Sequence, residues 1–382
     1  MFAVALLIGY RGMMLKILFW TAINQFLNTF MLYLRSNVSA LMLFKTDSCL
    51  SVLDRLLMIL FCGLLLWGNI IDKPFQIEWF IYCQTLAYSI AILVALAIVL
   101  HKAHLHRLHW NRPFFLMILK KSLPFAILTL LMACYNRIDS VMIERLLPSE
   151  ISSEQAGIYA TAFRLLDALV MIAYLFSVIL LPLFSKMIKE KEDLKPIIRT
   201  SFSFLYVFSV SATVILLAFK EPVIKLLYTD HIADSINVFA ILIPGIIPIA
   251  FTYIFGTLLT ANGSMKRLNI TAGIGIIINI IVNLILIPNL QARGAAIASL
   301  CTQSAVSLLQ FIIAMKELKV PLGSIPWLSA ILFTIILIPC SFLCSRMHCH
   351  VIYALIITGG LALLISIATR LIDLRELKLL KR

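Results

Sequence analysis

The sequence predicts an all-α protein, a polytopic helical bundle that crosses a membrane about eleven times. Three observations carry this expectation. The chain is 62% hydrophobic and only 13% charged, whereas soluble globular domains are nearer half apolar and a quarter charged. Its mean hydropathy is +1.02. Apolar runs of about 20 residues, the length a helix needs to cross a bilayer core, fill most of the 382 residues. The short alternating segments of a transmembrane β-barrel are absent.

In chain order, full spans are expected at approximately 18–41, 49–67, 78–100, 122–146, 157–182, 200–219, 236–261, 269–288, 294–315, 326–345 and 351–370. Residues 1–10, MFAVALLIGY, read as the end of an earlier span. They show neither the basic leader nor the small-residue cleavage site of a signal peptide.

The net charge of +14 does not point to nucleic acid, because the basic residues sit in short loops between apolar runs, where they act as topology signals. With the C-terminus in the cytoplasm, the cytoplasmic segments hold twenty of the 32 Lys and Arg, the outer segments hold eight, and Arg35, Arg55, Arg137 and Arg164 fall inside spans. This asymmetry fixes the expected orientation. Eleven spans with an inner C-terminus put the N-terminus outside. A faint internal repeat lays Phe30–Leu60 on Tyr253–Asn283, each with a span ending in small and polar residues, a basic turn and a new span. Its offset, near 222 residues, places the partner of the span starting near 122 about 100 residues before Met1. Parity and repeat together lead to the expectation that two to three spans are lacking at the N-terminus.

The eight cysteines form no CxxC pair, so neither a disulfide framework nor a zinc module is expected. The run Cys340, Cys344, Cys349, His350 reads as small apolar side chains in a span plus a loop rather than as a soft-metal site. The stretch HKAHLHRLHW, His101–Trp110, reads as a basic interfacial loop. No metal or other cofactor is expected.

Charges inside the membrane are expensive, by about 2.5–3.5 kcal/mol each on insertion scales. Two consecutive spans carry the clearest set: Arg137 and Asp139 in YNRIDSVMIERLLP, then Arg164 and Asp167 in GIYATAFRLLDALVMIAY. At 1.5 Å per residue all four lie roughly 10–15 Å below the same boundary. The bland arrangement pairs Arg137 with Asp167 and Arg164 with Asp139, fastening two helices. The functional arrangement is a hydrated cavity in which guanidinium groups receive an anionic headgroup by parallel hydrogen bonds. There Asp139 and Asp167 would serve for ion coupling, by H⁺ or Na⁺, or for charge pairing. Arg35 is a further candidate for substrate binding, although its late position in a span also suits snorkelling. Asp54–Arg55 and Glu144–Arg145 read as span-end charges. Pro244, Gly245 and Pro248, in ILIPGIIPIAFTY, interrupt one span and are candidate gating positions. Asn279 and Asn283 share a helix face and read as interhelical hydrogen-bonding groups for helix packing.

NIIVNLILIPNLQARGAAIASLCTQ resembles the flippases that move lipid-linked oligosaccharides in bacterial polysaccharide synthesis. RIDSVMI followed by AGIYATAFRLLDAL, and LYLRSNVSALMLFKTDS, are similar to segments of the same family, which shares a superfamily with multidrug and toxin extruders. The resemblance covers most of the chain from about residue 16 to 320. It implies two six-helix lobes around a central cavity, often with two further helices, and alternating access. On that plan 1–118 is the remainder of the N-terminal lobe, 119–320 the C-terminal lobe, and 321–382 two additional helices with a basic cytoplasmic tail. The resemblance implies an undecaprenyl-diphosphate-linked oligosaccharide as cargo and Arg137, Arg164, Asp139 and Asp167 on cavity-lining helices. It also implies membrane lipids and polysaccharide polymerase or glycosyltransferases as partners, in the bacterial plasma (inner) membrane. No nucleophile–base constellation suggests an enzyme. The alternatives are a cation-coupled multidrug antiporter, or a non-transporting remnant or scaffold of a glycan-assembly complex.

Overall fold

The computed structural model of the chain describes residues 12–40, 43–67, 77–102, 111–321, 323, 325–345 and 351–372. Among these residues there is helix and no strand. Lipid offers backbone N–H and C=O groups no partner, and a helix satisfies them within one segment. The helices are α1 (Met13–Ala40), α2 (Phe44–Trp67), α3 (Ile77–Lys102), α4 (Arg112–Leu146), α5 (Ser149–Glu190), α6 (Lys195–Ala218) and the short α7 (Lys220–Leu227). They continue with α8 (Ile232–Leu242), α9 (Ile246–Ala261), α10 (Met265–Glu317), α11 (Trp327–Ser345) and α12 (Val351–Ala368). Among the described residues, every expected span falls on helix to within two residues at its ends.

The 53-residue α10 holds two of those spans. As one rod it would be about 80 Å long, far more than one bilayer. The backbone breaks at Gln291 (φ 53°, ψ −133°), and the two halves turn back on each other. A Cβ placed on Gly294 would lie 2.6 Å from the carbonyl carbon of Leu286. Only glycine allows that approach, so Gly294 sets the tightness of the hairpin.

The chain divides into two compact units at Asn111–Arg112. In the first, α1 and α3 pack around Met31, Leu34, Ala91 and Ala95, with Leu50 of α2 completing the cluster. The alanines, four apart on α3, permit close helix approach. Asn24 of α1 donates to the Ile81 carbonyl (3.2 Å) and accepts from the Thr85 hydroxyl (2.6 Å), fastening α1 to α3. Arg35 is held by Asp47 at the start of α2, with Nε to Oδ1 at 2.8 Å. Asp54 and Arg55 are 3.6 Å apart.

In the second unit, one apolar cluster gathers Phe184, Phe202, Phe255 and Phe333, and another gathers Ile143, Tyr159, Phe239 and Ile287. Large apolar side chains on the opposite faces are exposed, among them Leu328, Leu343 and Ile285, as expected of helices solvated by acyl chains. Pro244 and Gly245 lie in a single 3₁₀ turn, Ile243–Gly245, that joins α8 to α9 with helical dihedrals on both sides. Pro248 falls in the first turn of α9, directly after the 3₁₀ turn, where the i→i−4 ladder is already interrupted. The interruption expected in this span is therefore a tightened turn within an otherwise continuous rod.

The span-end network of Asn262, Ser264, Arg267 and Glu317 ties the start of α10 to its end. His104, His106, His109, Cys349, His350, residues 1–10 and the tail 373–382 lie outside the described residues.

Candidate functional site

The polar residues of the second unit fall into two adjoining groups. The deeper one centres on Asp139 of α4, which is fully buried. It accepts three hydrogen bonds: from the Tyr159 hydroxyl of α5 to Oδ2 (2.7 Å), and from Asn279 Nδ2 (2.9 Å) and Asn283 Nδ2 (2.7 Å) of α10 to Oδ1. Asn283 Nδ2 also donates to Asn279 Oδ1 at 2.9 Å. The helical repeat explains the arrangement, since residues four apart lie one above the other and both amides reach one carboxylate. Gly275 extends the same stripe. A Cβ there would lie 2.6 Å from Val306 Cγ2, so the glycine lets the second half of α10 close over the cluster. Asn283 Oδ1 is buried and has no hydrogen-bond partner.

The second group lines a cavity of about 260 Å³ enclosed by α4, α5, α9 and the second half of α10. Arg137 Nη2 meets Asp167 Oδ2 at 2.8 Å, and both side chains stay open, 67% and 42% exposed. The guanidinium carbon stands 5.0 Å above the Phe163 ring centre, within cation–π range. Beside it Gln303 Nε2 donates to Asn136 Oδ1 at 2.6 Å. Thr252 also lines the cavity, and its buried hydroxyl has no partner. The wall thus offers a cation on a planar fork, a carboxylate and amides within an apolar frame of Leu166, Val170 and Ile249. An exposed ion pair of this kind is weak, at most about 1 kcal/mol, so Arg137 can exchange Asp167 for another anion at low cost.

The four charges expected to act together are divided by the fold. Arg137 and Asp167 pair as the spacing suggests. The pairing of Arg164 with Asp139 does not occur. Asp139 points into the packed interior, where only neutral donors reach it. Arg164 lies on an exposed face of α5, does not line the cavity of Arg137, and has no ion-pair partner among the described residues. The cause is helical phase: residues 163, 166, 167 and 170 of α5 line the cavity, and position 164 lies a further 100° round from 163. Asn279 and Asn283 do link helices, through a carboxylate. Arg35 is committed to Asp47 within the first unit.

Tyr159, Phe163, Asn136, Thr252 and Gln303 were not anticipated from sequence. Their signal was present in part: Asn136 and Gln303 are amides in apolar runs, and such residues need a partner in lipid. Tyr159 and Phe163 gave no signal, because aromatic residues in a span read as ordinary apolar surface.

A family model described as "Polysaccharide biosynthesis protein" matches residues 3–237. A solved structure titled "Lipid II flippase MurJ, inward closed conformation" superposes with a TM-score of 0.69, covering 95% of this chain and 75% of that chain at 15% identity. At that identity the likeness establishes the fold. No curated protein matches the chain.

Proposed function

We propose, from the premise that this chain belongs to the polysaccharide biosynthesis protein family, that it is a flippase which carries an undecaprenyl-diphosphate-linked oligosaccharide across the bacterial plasma membrane. The family supplies the pathway class, the helical fold is that of a flippase, and the observation that carries the reading is Arg137. A guanidinium within a membrane-spanning helix is costly unless it lines a hydrated path. Here it stands open in a cavity whose largely apolar wall also carries Asp167, Asn136 and Gln303, held by one weak partner. A diphosphate entering that cavity replaces Asp167 as the acceptor for Arg137, which can donate two parallel hydrogen bonds to it. Asn136 and Gln303 offer amide contacts beside it. Transport on this reading needs no covalent chemistry.

The same reading assigns Asp139 to coupling. Its carboxylate, with the oxygens of Asn279 and Asn283 nearby, has the hard-oxygen character suited to H⁺ or Na⁺. The Asn283 oxygen without a partner supports an additional ligand there. Alternating access would then follow from occupancy of this cluster, with the turn at Pro244 and Gly245 taking up part of the change in helix direction. The cytoplasm would receive the C-terminus, and polymerase or glycosyltransferases would act beside the protein.

Reconstitution tests this. Full-length protein in proteoliposomes should move a labelled undecaprenyl-diphosphate oligosaccharide from one leaflet to the other, as read by glycosidase protection. Arg137→Ala should reduce the rate at least tenfold. Efflux of cationic drugs with no lipid movement would replace the flippase reading with that of a multidrug antiporter. Absence of both would leave a scaffold.

A further inference from the structure

A second recess lies between α5 and α6, distinct from the cavity of Arg137. It is an apolar groove of about 240 Å³, lined by Phe176, Ile179 and Leu183 of α5 and by Ile197, Ser201 and Phe204 of α6. Phe176 and Phe204 stack, with ring centres 6.3 Å apart. They are the lining residues furthest from the α5–α6 turn, so they close the deep end. Ile179 is 67% exposed and continues into an open apolar face with Leu175 and Val178. The groove therefore opens toward lipid.

Its other end is cationic. Lys186 follows Leu183 by three residues and so extends the same face of α5. Lys189, Lys191, Lys195 and Arg199 surround the turn. Three acids share the region: Glu190 stands 4.0 Å from Lys186 in a pair exposed at both ends, weak enough for a phosphate to displace, and Asp193 Oδ1 accepts the backbone N–H of Lys195 at 3.1 Å. The turn carries five cations against three anions, with an apolar slot directly below.

We infer that this groove binds one anionic phospholipid, with an acyl chain in the slot and the headgroup phosphate among Lys186, Lys189 and the neighbouring cations. Length favours a phospholipid over a long isoprenoid. The lining runs from Phe176 to Leu183, about 12 Å at 1.5 Å per residue, which approaches the roughly 15 Å that one leaflet contributes to a bilayer core. The phenylalanine stack ends the slot there. Charge complementarity chooses an anionic headgroup over a zwitterionic one. The inference is independent of what the cavity of Arg137 transports.

Native mass spectrometry of the full-length protein tests it, with dioleoylphosphatidylglycerol and dioleoylphosphatidylcholine offered at equal mole fraction. One phosphatidylglycerol per chain should be retained, preferred at least tenfold. Lys186→Gln and Lys189→Gln should each lower that preference about fivefold. Ile179→Trp fills the slot from an exposed position and should release the lipid with every charge intact. Equal retention of the two lipids overturns the proposal, as does retention unaltered by Ile179→Trp. Displacement by equimolar undecaprenyl phosphate also overturns it, because the slot would then hold the tail of a transported lipid.

Discussion

The Tyr159 hydroxyl donates to Oδ2 of Asp139 at 2.7 Å from the neighbouring helix, while two asparagines of α10 occupy Oδ1. One carboxylate thus joins three helices through neutral donors. Its removal leaves the Tyr159 hydroxyl and the Asn279 amide short of an acceptor, while Asn283 Nδ2 keeps only its bond to Asn279. An unsatisfied buried group costs about 1–3 kcal/mol, and hydrogen bonds within membranes fall at the lower end of such ranges. Asp139→Ala should therefore destabilise the protein by about 2–4 kcal/mol, and Tyr159→Phe by about 1 kcal/mol. Thermal unfolding in detergent measures both. An unchanged midpoint in Asp139→Ala would refute a fastening role for the cluster.

Arg137 should behave in the opposite way, important to transport and nearly silent in stability. Its pair with Asp167 is exposed at both ends, so Arg137→Ala should cost less than about 1 kcal/mol in stability. Arg137→Lys keeps the charge and loses the planar fork. It should recover only part of the flipping rate in proteoliposomes. Full recovery would mean that charge alone is sensed, and the bidentate diphosphate contact would be abandoned.

Arg164 provides the contrast. It is exposed, lies off the cavity wall and has no ion-pair partner among the described residues. Arg164→Ala should shift stability by no more than about 0.5 kcal/mol and should leave lipid movement within twofold of wild type. A tenfold loss of rate, with the unfolding midpoint unchanged, would restore Arg164 to the substrate path.

The fold was readable because lipid leaves few choices. Apolar length dictated helices, and the break at Gln291 was foreshadowed by the polar interval between the spans 269–288 and 294–315. The charged residues were also found by their cost. Their partners were harder to read, because linear depth says that Arg137, Asp139, Arg164 and Asp167 lie at one level but not which way each points. Residues two apart on a helix differ by about 200° in direction. Arg137 and Asp139 accordingly face different surroundings, one an open cavity and the other a packed interface. The identity of Asp139's partners depended on α10, some 140 residues on in the sequence, and no local pattern joins those positions. Gly294 and Gly275 carry no local signal in the sequence. Their need for glycine comes from tertiary approach.

Two glycines make that distinction measurable. A Cβ on Gly294 meets the Leu286 backbone at 2.6 Å, and backbone cannot step aside, whereas a Cβ on Gly359 of α12 meets nothing within 4 Å. Gly294→Ala should destabilise by about 1–3 kcal/mol through overpacking. Gly359→Ala should be neutral or stabilising, by up to about 1 kcal/mol, because alanine is the better helix former. The two midpoints in detergent should move in opposite directions or differ by several degrees. Equal shifts would contradict the tight α10 hairpin.

Asp139→Asn separates coupling from folding. The amide keeps the size of the carboxylate and accepts through its oxygen. With its oxygen kept toward the two asparagine donors, its NH2 falls on the Tyr159 side, where the hydroxyl can turn to accept instead of donate. Stability should fall by less than in Asp139→Ala. An amide binds neither H⁺ nor Na⁺ as a carboxylate does, so the response to an ion gradient should disappear. The measurement is flipping rate in proteoliposomes under imposed Na⁺ and pH gradients, each applied in turn. Wild type should respond to one of them, and Asp139→Asn to neither while remaining folded. A variant that keeps the gradient response would place the coupling group elsewhere, with Asp167 the next carboxylate to test because it lines the cavity beside Arg137.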